Sequence, residues 1–409
     1  MSNYRGVEFN NTFKGAEPAD YNACVGNNGH PSYSEYANGF SDAAVHLINI
    51  AIDEQSMDEL IYPICFNMRH AIELRLKQFV FELKNVRSNI DLTDFKDTTL
   101  HNVGNIWEYF KSKSIEVDCR IVEKINEIDR VVLDFAEIDP NGQVFRYPYS
   151  TGNIKHLTKV SIINVVHLRD VFNSLRESLN EIYNFIKFLV SEYETGTYTN
   201  ISSRKVIEDI SHLMPLDADW KIENKRCKEI KREIINKFSI SSNEFGRIKI
   251  IIDSHYEFSR NVGLLKQLKY SDLNDWLEFL NAYAMSKNHD EFDGGLDDME
   301  MIVESITDHN NAVKHCMANI SINAFIDIAC VVECGRHGDY CEYYESLIAS
   351  EIGLENNHRN YECERVDYIS YHLKLIRLKY FIVKGLKMLG QDSLLASLPI
   401  DIDIANGAI

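Results

Sequence analysis

The sequence predicts an all-α protein, a helical bundle followed by a second helical domain. Seven prolines and 19 glycines in 409 residues leave long stretches without a breaker, and no proline lies between Pro215 and Pro399. Apolar residues recur largely three and four apart, as in Phe66, Ala71, Ile72, Leu74, Leu76, Phe79, Val80 and Leu83. Hydrophobic content of 45% with 26% charged residues suits a chain that buries a real core, and 409 residues exceed one ordinary domain.

Taken in order, residues 1–38 are rich in Asn, Gly, Tyr and Ser and read as an irregular N-terminal arm. Helices are expected over about 39–54, 57–86, 99–113, 117–137 and 160–191, making a bundle over 39–195. Ser56 and Glu59 match a capping box for the second helix, and Pro63 marks either a kink or its first turn. Asp139-Pro140-Asn141-Gly142 is a turn sequence, and the short aromatic stretch 143–148 beyond it reads as extended. A linker is expected at 196–202, where Thr, Gly and Asn gather. The domain over 203–409 is an array of helices at about 203–212, 223–237, 243–259, 272–285, 296–317, 321–334, 338–350 and 363–388. Gly335-Arg336-His337-Gly338 reads as a turn between antiparallel helices, and the acidic stretch 288–298 as a mobile loop.

A formal net charge of −19 excludes a generic nucleic-acid coat but leaves room for one small basic cleft. Nine irregularly spaced cysteines fit reduced thiols. The polar start has no signal-peptide pattern, and no apolar run approaches the length of a membrane span, so a soluble cytoplasmic protein is expected. Walker, Gly-x-Gly-x-x-Gly, His-Glu-x-x-His and Gly-x-Ser-x-Gly motifs are missing, which leaves nucleotide hydrolysis, dinucleotide chemistry, zinc proteolysis and serine hydrolysis without support.

The most informative stretch is 62–77, which places Arg69, His70, Glu73 and Lys77 on an otherwise core-facing helix. Arg69, Glu73 and Lys77 are four apart and stack along one line, with His70 about 100° round from it. The bland account is an ion-pair ladder beside a half-buried histidine. The functional account makes the imidazole a proton-transfer group and the arginine a phosphate clamp. His101 opens the next helix, at the end that favours anions, and Arg146 and Tyr147 follow in an aromatic segment suited to a base or phosphate.

The order Arg69-His70-x-x-Glu73-Leu74-x-Leu76-Lys77, then His101 and Trp107, then Asp139-Pro140 and Phe145-Arg146-Tyr147-Pro148, resembles the HEPN-like all-helical domains of prokaryotic defence and abortive-infection proteins. The resemblance spans about 38–195. It implies a bundle that dimerises and, in active members, cuts RNA without metal through an arginine and a histidine in a composite cleft. Carried onto this chain, Arg69, His70 and His101 are the catalytic candidates, and Glu73, Lys77, Arg146 and Tyr147 the candidates for binding RNA. A histidine would take the ribose 2′-OH proton while an arginine stabilises the phosphorane. Family members place four to six residues between the arginine and the histidine, whereas Arg69 and His70 are adjacent; the chain's match to that spacing is Arg365 to His372.

The expectation is a defence-associated, metal-independent endoribonuclease or toxin-like effector, homodimeric, with RNA as partner and no cofactor. The alternative is a non-catalytic helical scaffold or sensor of a defence complex, with a protein partner on the C-terminal domain. A third reading is an acidic neutraliser of a basic toxin. Cys330, Cys334, His337, Cys341 and Cys363 lack close zinc-type pairs and read as packing residues. The basic run 225–232 reads as a solvated helix face, with a local RNA or acidic-partner patch as the functional option.

Overall fold

A computed structural model describes residues 11–26, 28–29, 31–87, 90–96, 100–221, 225–287, 299–357 and 362–400. Its named elements are all helical, and the chain divides into two compact units, Met1–Ser191 and Glu192–Ile409. The division falls in the last turn of a long helix, ahead of the 196–202 segment read as a linker.

In the first unit, α1 (Tyr33–Glu54) starts within the stretch read as an arm, because Ser32 and Glu35 form a capping box there. α2 (Met57–Val86) follows after Gln55, whose left-handed backbone reverses the chain. The capping box expected at Ser56 and Glu59 does not form. The Ser56 N–H already donates to the Ala51 carbonyl at 3.0 Å, so Glu59 has no free N–H to reach back to. Pro63 lies inside α2, which continues through it.

α2 is the buried centre of this unit, with Ile64, Met68, Ile72, Leu76, Phe79, Val80 and Leu83 enclosed. α3 (Val103–Val117) packs on it and α4 (Arg120–Ile138) packs on α3, α4 burying Ile121, Ile125, Ile128 and Val132 at spacings of four and three. α5 (Val165–Glu194) buries Phe172, Leu175, Leu179, Ile182, Ile186 and Leu189 at the same spacings. Asn164 caps its start by accepting from the His167 N–H at 2.9 Å, which places it later than the expected 160.

The segment 143–148 is a turn rather than extended. Asp139 Oδ1 accepts from the Gln143 and Val144 N–H groups at 2.8 and 3.1 Å, and this cap bends the chain.

The second unit begins with α6 (Arg204–Leu213), α7 (Asp217–Lys221), α8 (Lys225–Phe238), α9 (Ser242–Ser254) and α10 (Tyr256–Asn261). Ile207, Ile210, Ile234, Phe245, Ile248 and Phe258 form one core among them. α8 turns Cys227 and Ile234 inward and leaves Lys225, Arg226 and Arg232 exposed, a solvated basic face. The other core gathers α11 (Leu273–Ser286), α12 (Met299–Asn319), α13 (Ile322–His337), α14 (Glu342–Asn357), α15 (Glu362–Leu373), α16 (Leu378–Met388) and α17 (Asp392–Ser397).

α13 is its central helix and continues to His337, so the 335–338 stretch read as a turn is mostly its last turn; Gly338 caps it and the chain turns over 338–341 before α14. Gly335 is there for close packing: a Cβ on it would lie 2.0 Å from the Phe381 carbonyl oxygen of α16. The single helix expected over 363–388 is two, because Arg377 takes a left-handed backbone before α16. The acidic stretch 288–298 lies outside the described residues. Among the described residues no single helix is long and apolar enough to cross a membrane.

Candidate functional site

The charged stripe of α2 is organised around one buried carboxylate. Glu73 lies a turn after Arg69 and a turn before Lys77, so helix geometry alone brings three charges together. Arg69 Nη1 donates to Glu73 Oε2, and Lys77 Nζ donates to Oε1 at 2.9 Å. A fourth group arrives from outside the helix: His101 Nδ1 lies 3.0 Å from Oε1. His70 Nδ1 is 3.8 Å from Oε2, within ion-pair range but too long for a hydrogen bond. Burial pushes the Glu73 carboxyl up, yet the surrounding His70, Lys77, His101 and Arg69 outweigh it and hold the group well below the usual carboxylate range.

Arg69 is 2% exposed and spends its remaining donors on backbone. Nε donates to the Asp139 carbonyl at 3.1 Å, and Nη2 to the Pro140 carbonyl at 2.8 Å and to the His101 carbonyl. It therefore fastens the turn after α4 and the residue ahead of α3 onto α2. Gly142 completes that turn with φ of +72°, and a Cβ there would meet Arg69 Nη1 at 3.1 Å, so glycine answers both constraints. Arg69, Glu73 and Lys77 are all buried.

His101 and His70 remain reachable. His101 does not open α3, which begins at Val103; Asn102 caps it by accepting from the Asn105 N–H at 3.0 Å. Set just outside the helix, the His101 side chain keeps 57% of its surface exposed while Nδ1 touches Glu73. An ionised carboxylate can only accept, so Nδ1 carries the proton and a neutral His101 holds its basic lone pair on Nε2.

The His70 ring is 29% exposed, stacks on Phe66 at 5.7 Å and meets Phe40 edge-on at 4.5 Å. Arg146 is exposed, with its guanidinium 5.6 Å from the Phe66 ring centre and 5.1 Å from that of Tyr147. Five of the seven sequence-selected residues meet at Glu73, and Arg146 and Tyr147 join them through Phe66; four are reachable or partly so and three enclosed.

The alternative pair, Arg365 and His372, does not make such a site. His372 is buried against Phe325, Tyr368 and Tyr371, with Nδ1 2.9 Å from the Tyr368 carbonyl. Cys330 and Cys334 are enclosed in the apolar core of the second unit, and burial raises both thiols, Cys334 to about 11.

Sequence reasoning missed a second charged cluster, in the second unit. Arg204 Nε donates to Glu342 Oε1 at 2.8 Å, Nη2 reaches Glu257, and its guanidinium lies between the rings of Phe258 and Tyr340. His255 Nδ1 accepts the Glu257 and Phe258 N–H groups at 3.2 Å, which leaves Nε2 to donate to Glu342 at 2.9 Å. Cys341 Sγ is 3.6 Å from that nitrogen. His255, Glu257 and Cys341 have metal-like proximity, but the chemistry does not fit: Nε2 bears the proton, burial raises the Cys341 thiol, and Arg204 already supplies the positive charge. Neighbouring residue types could not reveal this cluster, since Arg204 and Glu342 are 138 positions apart.

No protein-family profile matches this chain, and no match is found among curated proteins or solved structures.

Proposed function

We propose that the first unit is a metal-independent ribonuclease site, acting in the cytoplasm as part of a defence response, in which His101 transfers the proton. The observation that carries this reading is the pairing of an exposed imidazole with a buried, ionised carboxylate at 3.0 Å. Glu73 fixes the tautomer and ring orientation of His101, so Nε2 is presented to solvent as a base and the resulting imidazolium is stabilised. In the proposed reaction Nε2 takes the ribose 2′-OH proton as that oxygen attacks the adjacent phosphorus. Arg146 neutralises the phosphate, and His70 stands beside the same carboxylate as the group that returns a proton to the leaving 5′-oxygen. Arg69 and Lys77 are assigned supporting roles, holding Glu73 ionised and the two loops in place. A second copy of the chain would extend the cleft, as the family resemblance implies.

One observation favours the non-catalytic scaffold instead. Arg69, Glu73 and Lys77 satisfy one another internally, as a purely structural ladder would. The 2′-OH separates the two readings. A single-stranded RNA in EDTA should be cut to a 2′,3′-cyclic phosphate, and the same strand with 2′-deoxy sugars should survive intact. An RNA left whole under these conditions would favour the scaffold.

A further inference from the structure

The first unit carries a cleft of about 650 Å³, within the size range of small-ligand sites, whose lining includes Arg146 and Tyr147 but neither His70 nor His101. Ile61, Val144, Phe145 and Val160 give it apolar walls, and Tyr62 and Tyr147 are half-exposed at its surface. Arg146 and Lys155 set two positive charges in the lining against the single carboxylate of Asp58. On a chain of net charge −19 this is a local reversal of sign.

One face of α2 runs from the cleft toward the proposed chemistry. Tyr62, Phe66 and His70 are four apart, so their rings follow one another along the helix at about 6 Å per step. Tyr62 lines the cleft, Phe66 lies beneath Arg146, and His70 stacks on Phe66 and faces the Glu73 carboxylate. Phe66 and His70 already have ring partners, so the exposed Tyr62 ring, with Arg146 and Lys155 in the same lining, is what suits an unpaired nucleotide, whose base exposes its own face and whose phosphate needs counter-charge. Paired bases hide those faces inside the duplex.

We propose that the cleft and the Tyr62–Phe66–His70 stripe form a track for single-stranded RNA, with one unpaired base seated against Tyr62. Its phosphate is held by Arg146, and the strand continues toward His101. The proposal rests on the ribonuclease reading for its choice of ligand and deepens it by assigning single-strand selectivity to named residues.

The experiment uses full-length His101→Ala protein, so that binding is read without turnover, and fluorescence anisotropy of a labelled single-stranded RNA in EDTA. Tyr62→Ala, at a side chain already 48% exposed, is expected to weaken binding about tenfold, the scale of one lost base stack. Lys155→Ala should weaken it less, and double-stranded RNA of the same sequence should bind poorly. Unchanged affinity in both variants, or equal binding of duplex, would overturn the track. So would Tyr62-dependent binding of an acidic peptide in place of RNA. Wild-type cleavage is assayed in parallel. Cleavage with Tyr62-independent binding would sink the track and keep the ribonuclease, whereas Tyr62-dependent binding without cleavage would keep the track and sink the ribonuclease.

Discussion

Arg69 joins four acceptors on three separate segments, so its removal should be felt far more in folding than in a surface contact. Arg69→Met takes a donor from the Asp139, His101 and Pro140 carbonyls, the last of which keeps the Val103 N–H, and takes from Glu73 its closest cation. Breaking a buried pair from one side costs about 3–5 kcal/mol, and a urea titration of the variant should show a loss of that order. A loss below about 1 kcal/mol would mean that Arg69 does not fasten these segments. The α2 ladder was legible in the sequence because helix periodicity fixes neighbours four apart. That Arg69 is enclosed was not, since its carbonyl partners at Asp139 and Pro140 lie 70 and 71 residues away. His101 was picked as a helix-terminal anion site, yet its place follows from the Asn102 cap and the Glu73 carboxylate.

Among the elements, α13 and α16 cross with glycines set directly against the facing backbone. A Cβ on Gly385 would come 2.2 Å from the Val331 carbonyl oxygen, and one on Gly335 2.0 Å from that of Phe381. Neither oxygen can rotate away as a side chain would, so the helices must separate. Gly385→Ala should therefore destabilise the second unit by about 1–3 kcal/mol or more, although alanine is the better helix former. Thermal unfolding checks this, and a raised midpoint would contradict it. Helix positions were readable because apolar spacing is local. What periodicity alone misplaced were the breaks and starts set by capping or backbone contacts. His255, read as the interior of one helix over 243–259, accepts two N–H groups and starts a new one. The glycines at 335–338, read as a turn, include one selected by a neighbour 50 residues on, at Gly385.

At the scale of the molecule, an acidic chain of net charge −19 carries an ionised carboxylate inside a charged cluster in each unit, the buried Glu73 in the first and the largely buried Glu342 in the second. Burial raises the Glu342 carboxyl, but His255 and Arg204 outweigh it and hold the group well below the usual range, as the cluster around Glu73 does there. A carboxyl whose pKa is depressed by folding adds stability above its ordinary value of 4.5, where both folded and unfolded forms are ionised. As the pH falls below that value, the unfolded chain takes up a proton that the native site refuses, and the contribution is lost. Stability should thus drop progressively below about pH 4.5, and Glu73→Gln should flatten that dependence for the first unit. Equal acid sensitivity in wild type and Glu73→Gln would contradict the linkage.

If Glu73 holds His101 for proton transfer at a ribose, removing the imidazole must slow RNA cleavage without unfolding the protein. Wild type and His101→Ala are incubated with single-stranded RNA in EDTA, after urea titration of both. The exposed ring should cost stability by only about 1 kcal/mol, while its loss should slow cleavage by about 10²–10⁴-fold. Equal cleavage rates from two equally folded proteins would mean that His101 transfers no proton in the reaction.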